Sequence, residues 1–409
     1  MASTTAYVGK KSGPGSDPGS AKAQIEESIG RLSGWLEKND YRGYDTFDGL
    51  NARYVRPLTF ETKILRTVLQ QGVRRFPINL RPLLGVEKSH SSKGMGFLAR
   101  GFIRLHRATG DSAWGDKAEM ALQWLIDNQC RGYRGACWGN HFDYQSRSFY
   151  LPKYTPTVVW TSLIGHAFLD AYAWFRKDSF LDTAVSACEH ILRDLERFPE
   201  GEFICIGYIP ACIPASNKKV HNSNTLAASL LARTHSYTGD ESYLRVAEKA
   251  IAYTAFHQRM NYSWFYGEAP NLRWVDNFHT AYVLDCFKYY ASSTSDSRFD
   301  KQLANGYEYW KRSFFLPDGT PKYYDHKLLP IDIQCSAQAI DTLVFFHDRD
   351  PDSKSLALKI AKWTIEHMQH PSGYFYYRRY SHSLVNKTPT LHWGQATMLC
   401  ALAGLYGLL

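Results

Sequence analysis

Residues 155–181 read TPTVVWTSLIGHAFLDAYAWFRKDSFL, and this stretch decides the fold. Thr155-Pro156-Thr157 reads as a Thr N-cap with Pro in the first turn of a helix. The segment that follows is apolar nearly all round, the pattern of a helix buried inside a large assembly. Asp178-Ser179-Phe180-Leu181 then opens a second helix. Its side-chain oxygens can cap free backbone N–H groups, and its apolar residues keep a 3.6-residue period on one side only. The first helix is therefore inner and the second outer.

The alternation recurs along the chain. Outer helices open at Asp111-Ser112-Ala113-Trp114, Asp240-Glu241-Ser242-Tyr243-Leu244, Asp296-Ser297-Arg298-Phe299 and Asp352-Ser353-Lys354, and a helix expected over 21–39 is similar to them. Inner helices start near Lys93, Thr157, His221, Asp276, Asp332 and Thr390, at spacings of 64, 64, 55, 56 and 58 residues. Such a repeat predicts six helical hairpins closed into a ring, an all-α (α/α)6 barrel that makes one domain of residues 21–409. Residues 40–90, with a further helix near Phe60 to Gly72, read as an insertion. The Gly/Pro-rich residues 1–20 read as a flexible tail. Strand signals are weak, with one short extended piece expected at Tyr374-Phe375-Tyr376-Tyr377.

Composition narrows the function classes. With 44% hydrophobic and 21% charged residues the chain reads as a water-soluble globular protein. No apolar run reaches the ~18 residues of a transmembrane helix, and no basic-then-apolar leader opens the chain. Eight cysteines without a CxxC pair suit reduced thiols, so a cytoplasmic location is expected. The surplus of 48 Lys+Arg over 39 Asp+Glu favours anionic partners without requiring nucleic acid. The chain lacks GxxxxGK[ST], a strand–GxGxxG–helix unit and HExxH, so nucleotide binding has no support. Asp332-Ile333-Gln334-Cys335 with His382 or His392 loosely resembles an Asp/Cys/His zinc triad. A capping Asp and a buried thiol is the stronger reading, so neither a metal nor another cofactor is expected. The Asp-x-Asp-Asp acid motif of triterpene cyclases is also missing.

Candidate site residues collect in the long loops that lead into inner helices, at 130–156, 198–220, 259–275, 315–331 and 371–389. Helix N-termini converge there and offer free N–H groups. Loop 130–156 holds Trp138, Asn140, His141, Asp143, Arg147 and Lys153, a mixture of flat aromatics and planar polar groups suited to sugar rings. His221 and Asn224 lie i, i+3 on one helical face, as do Asp276 and His279. Glu268, among Trp264, Phe265 and Tyr266, is expected to have a raised pKa and act as an acid, while Asp276 stays ionised at a helix start. Two such carboxyls would make a glycosidase pair, with Asp143 a third candidate and His221 and His279 assisting. Arg147, Lys153 and Arg378, with His392 nearby, would form a cationic rim for a uronate. Proton abstraction at its C5 begins both epimerisation and elimination. Trp138 and Trp264 would stack on the sugar.

Several segments carry a resemblance: Gly43-Tyr44-Asp45-Thr46-Phe47-Asp48-Gly49-Leu50, the loop from Trp138-Gly139 to Arg147, Pro152 to Thr157, Val220 to Asn224 and Asp276 to Thr280. They resemble the six-hairpin (α/α)6 toroid proteins of bacterial polysaccharide-biosynthesis clusters, described as terpene-cyclase/prenyltransferase-like toroids. The resemblance implies the toroid fold and a role in polysaccharide metabolism, on a fold that hosts glycosidases, uronate lyases and sugar epimerases. It carries over no catalytic residue. A glycan or sugar, anionic in character, is the expected partner. A non-catalytic glycan-binding or assembly factor and an isoprenoid-binding toroid stand as alternatives.

Overall fold

Capping decides where several helices begin. The computed structural model describes residues 18–147, 149–213 and 218–409, so expectations for residues 1–17 lie outside the described residues. The helices are α1 (Pro18–Lys38), α2 (Lys63–Arg75), α3 (Ser92–Thr109), α4 (Ser112–Asp127), α5 (Val158–Phe175), α6 (Asp178–Asp194) and α7 (His221–Thr238). Then follow α8 (Glu241–Phe256), α9 (Asn277–Thr294), α10 (Asp300–Phe314), α11 (Ile333–Phe345), α12 (Ser353–Met368) and α13 (Thr397–Leu408), the last preceded by a π-helical turn over Leu391–Ala396. Thr157, Asp276 and Asp332 cap inner helices by accepting from Trp160, His279 and Gln334 N–H groups. Asp111 and Asp240 cap outer ones. The capping expectation fails at three other outer helices. Asp178 sits inside the first turn of α6, Asp352 makes no side-chain cap bond, and Asp296 forms a turn ahead of α10 by accepting from Arg298 N–H.

Helices α3, α5, α7, α9, α11 and α13 form the inner ring, each against the next, and α13 packs back on α3 to close it. Helices α4, α6, α8, α10, α12 and α1 lie outside them. The fold is an all-α (α/α)6 six-hairpin toroid. At the closing seam a Cβ on Gly101 would stand 3.2 Å from the Cys400 backbone, so the two helices meet where α3 carries no side chain. One apolar core runs from Ile25 to Leu405. No helix among the described residues is long and apolar enough to cross a membrane.

Two features differ from the sequence reading. Leu195–Glu200 and Phe203–Pro210 pair as an antiparallel hairpin within the stretch read as a loop, turning at Gly201, whose φ is +59°. The inner helices are also less apolar than expected, because polar residues project onto the barrel axis. Arg100 on α3 donates to Asp170 on α5 at 2.8 Å and to the Tyr289 hydroxyl on α9 at 2.9 Å. Arg104, one turn on, reaches Asp341 on α11 and the Cys400 carbonyl on α13. Arg233 on α7 completes the set, bonding Asp170 at 2.7 Å.

The insertion is mounted on the rim. A buried ion pair, Arg81 Nε to Asp48 Oδ1 at 2.7 Å, holds its base. Gln70 of α2 exchanges two 2.9 Å hydrogen bonds with the Gln145 backbone, fixing the helix to loop 130–156. The expected helix near Phe60 to Gly72 is this α2, displaced by three residues because Thr62 caps it.

Arg100→Ala would leave Asp170 with one fewer cation and strand the Tyr289 hydroxyl. Breaking one partner of a buried ion pair costs about 3–5 kcal/mol. The urea midpoint of this variant should fall accordingly, while an exposed outer-helix change such as Lys177→Ala should shift it by less than about 0.5 kcal/mol.

Candidate active site

The N-termini of the inner helices converge on one mouth, and the long loops surround it. Asp276 caps α9 and its carboxylate is saturated. Oδ1 accepts the His279 backbone N–H at 3.0 Å, while Oδ2 accepts the Trp274 indole N–H at 2.8 Å and His279 Nδ1 at 2.7 Å. Because a carboxylate only accepts, His279 Nδ1 carries a proton toward Asp276 and Nε2 points away from it. The ring is partly exposed and lies against Tyr266, which stacks on Trp274 at 4.5 Å.

A second dyad has the same form. His392, on the π-helical turn before α13, gives Nδ1 to Asp45, a residue of the insertion. Burial would raise the Asp45 carboxyl, but His392, with a contribution from His141, holds it below its ordinary value. Burial lowers the His392 imidazole against the pull of Asp45, so it is neutral at pH 7. Among the described residues nothing hydrogen-bonds Nε2 of either His279 or His392. The two dyads are joined through Phe278 and Trp393, whose rings meet at 5.3 Å.

Lys93 lies between opposite walls. It starts α3, yet its ammonium is 5.7 Å from the Tyr282 ring on α9 and 6.0 Å from Trp393. Since α3 and α9 face each other across a six-membered ring, the cation stands on the barrel axis. It is buried, and no hydrogen bond or ion pair holds it among the described residues. Burial pushes its pKa down to about 8, with Asp45 acting in the opposite sense.

A polar chain runs along the neighbouring wall. His221 Nε2 donates to Glu268 Oε1 at 2.6 Å, His257 lies 3.4 Å from the same oxygen, and His257 in turn bonds Glu200 at 2.9 Å. Glu268 is thus held below its ordinary pKa by the His221 hydrogen bond, which corrects the expectation of a raised one. His221 is kept neutral by burial. One atom each from His221, His257 and Glu268 fall within 4.8 Å of one another, a spacing that could hold a metal ion. Asp332 and Cys335 make no such group: Asp332 takes Arg378 Nε at 2.7 Å and Trp393 Nε1 at 2.8 Å, and burial pushes the Cys335 thiol up.

Other expected roles change. Trp138 and Trp264 are buried core residues whose indole N–H groups bond the Leu125 and Thr254 carbonyls, and Trp264 also lines the small cavity beside His221 and His279. Asn224 is buried with its amide bound to Ile206, Ala250 and Thr254. Asp143 pairs with Arg56 of the insertion and accepts the Lys153 backbone N–H, making it a rim tie. Arg378 is buried on Asp332, which removes it from a free cationic rim. Asn140 is buried and accepts the Tyr154 N–H through its carbonyl, while Lys153 stays exposed at the rim. Arg147 is exposed at the mouth, with its guanidinium 5.0 Å from the Trp274 ring and donating to the Asn271 carbonyl at 2.9 Å. Sequence reasoning passed over Lys93 and Asp45. The first stood out only as a helix start, the second only within the Gly43–Leu50 segment.

No protein-family model and no curated protein matches the chain. Solved structures of similar fold include a cellobiose 2-epimerase from Bacillus thermoamylovorans B4167, with TM-score 0.60 and 11% identity over 78% of this chain and 90% of that one. A GH76 α-mannanase from Bacteroides thetaiotaomicron matches with TM-score 0.60 and 12% identity, over 79% and 87%. An unsaturated glucuronyl hydrolase from Bacillus sp. GL1 matches with TM-score 0.60 and 13% identity, over 93% and 96%. The likeness establishes the fold, whose relatives include glycosidases, epimerases and a D-mannose isomerase.

Burial lowers His141 to about 4, against an ordinary value near 6.5. Its neutral form is favoured in the fold, so its contribution to stability is full above pH 6.5 and is lost as pH falls from there to 4. Between pH 7.5 and 5.5 this amounts to about 1.4 kcal/mol. Urea denaturation of His141→Gln at the two pH values should show a difference smaller by that amount than in the parent protein.

Proposed function

We propose that this chain is a carbohydrate-active enzyme that moves a proton on and off a sugar carbon next to a carbonyl, as an epimerase or isomerase. The observation that carries this reading is the pair of dyads, His279–Asp276 and His392–Asp45. Each presents a free Nε2 at the same mouth as an unpaired Lys93. His392, held neutral, serves as the base that removes the proton. His279, entering the cycle with a solvent-derived proton on Nε2, gives that proton from a second position; in the reverse direction the roles exchange, and each ring recovers its starting state by proton exchange with water. Negative charge then develops on the carbonyl oxygen, and Lys93, helped by the converging helix N-termini, stabilises it. Tyr266, Trp274 and Arg147 hold the sugar, and Arg147 suits an anionic one.

A glycosidase reading loses support on the same observations. Asp276 accepts three hydrogen bonds and Glu268 is held ionised by His221, so neither is placed as a free acid. Asp276 and Asp45 are orienting groups in this reading, and the fold relatives named above act on sugars by several chemistries.

The test is a proton NMR time course in D2O against a panel of reducing disaccharides, free aldoses and uronates. The parent protein should exchange the proton next to the carbonyl and yield a second isomer. His279→Gln and His392→Gln should each lower turnover about 10²–10⁴-fold with circular dichroism unchanged. Each should still exchange that proton from one isomer alone, since one base remains. Full turnover in both single variants would sink the proposal.

A further inference from the structure

Helix α2 is apolar on two sides: Leu69 packs on the insertion's small core of Tyr44, Ala52 and Val86, and Val73 is buried. Its polar Gln70 and small Val73 face inward, Gln70 being hydrogen-bonded to the Gln145 backbone, while Ile64, Leu65 and Val68 face out along one i, i+3, i+4 stripe. Flanking loops continue the pattern. Phe60 and Ile64 are each 75% exposed and Leu83 78%. Among the described residues, nine of the nineteen exposed large apolar side chains lie between Tyr54 and Leu83. A concentration of this kind marks a surface that is covered in use.

The charge of the same segment identifies the cover. Residues 53–83 hold seven Lys/Arg against the single Glu61, a surplus of six out of the chain's nine. Arg56, Arg66 and Arg81 are engaged with Glu61, Asp143 and Asp48, but Arg53, Lys63 and Arg75 are exposed with no partner among the described residues. A second copy of the chain is disfavoured as the occupant, because a two-fold contact would set these cations against themselves. Outward aliphatic residues on a short helix, flanking aromatics and interleaved free cations together match the headgroup zone of an anionic lipid bilayer.

We infer that the insertion, centred on α2, docks the protein on an anionic membrane surface. Apolar side chains from Phe60 to Leu83 enter the boundary between headgroups and acyl chains, and Arg53, Lys63 and Arg75 meet lipid phosphates. Docking there brings the mouth near the bilayer, since the insertion contacts its rim through Gln145, Asp143 and Tyr377. The inference is independent of the chemistry proposed above.

The test is sedimentation of the full chain with vesicles of phosphatidylcholine alone, or with about one-third phosphatidylglycerol, at low and high salt. The parent should partition onto the anionic vesicles at low salt and be released at high salt. Ile64→Asp/Val68→Asp and Lys63→Glu/Arg75→Glu should each weaken that partition at least about tenfold, with unchanged circular dichroism. Absence of a preference for anionic vesicles, or binding by either double variant equal to the parent's, overturns the inference. So does a concentration-dependent dimer abolished by the same substitutions, or binding to soluble polyglutamate without binding to vesicles.

Discussion

The structure depends on a buried cluster of charge on the barrel axis. Two arginines one turn apart on α3, Arg100 and Arg104, reach α5, α9, α11 and α13, and Arg233 brings in α7 through their shared partner Asp170. All six inner helices are tied to a single point. Buried charge is costly unless paired, so a helix that drifted from the ring would leave an uncompensated ion in the interior. Apolar packing closes the ring, and this cluster specifies its register.

Closing the axis low down leaves it open above. Along the lower axis Arg100, Arg104, Asp170 and Asp341 satisfy one another, whereas at the mouth Lys93 has no hydrogen bond or ion pair among the described residues and only the more distant pull of Asp45. The contrast has an electrostatic meaning. Six helix N-termini and the Lys93 ammonium converge on one small volume, which favours a negatively charged group there. Both mouth carboxylates, Asp276 and Asp45, are turned away from that volume by their histidines. Imidazole nitrogens, rather than carboxylate oxygens, are what the mouth presents. The same toroid serves sugar enzymes of different chemistry because the loops and first turns at the mouth can change without disturbing the ring.

The insertion belongs to both regions. It delivers Asp45 to His392 from a segment more than 340 residues away in the chain, and Arg53, Lys63 and Arg75 lie exposed on its outer side. Gln70 and Arg81 fasten it inward by polar contacts, which frees its aliphatic side to face outward.

Sequence alone determined the alternation of inner and outer helices, the places where most of them begin, and the end of the barrel where the long loops gather. These are local matters, since capping oxygens and a 3.6-residue period act within a few residues. It also brought Asp276 and His279 together, because i, i+3 neighbours on one helix cannot avoid each other. Tertiary structure alone decided which groups are free. Trp138 and Trp264 turned out to fill the core, Arg378 to be neutralised by Asp332, and Glu268 to be held ionised by His221. Lys93, one cation among forty-eight in the sequence, is buried with no hydrogen bond or ion pair among the described residues. Whether a charged or aromatic side chain is available depends on what lies across the ring from it, and ring closure joins residues that the linear chain keeps far apart.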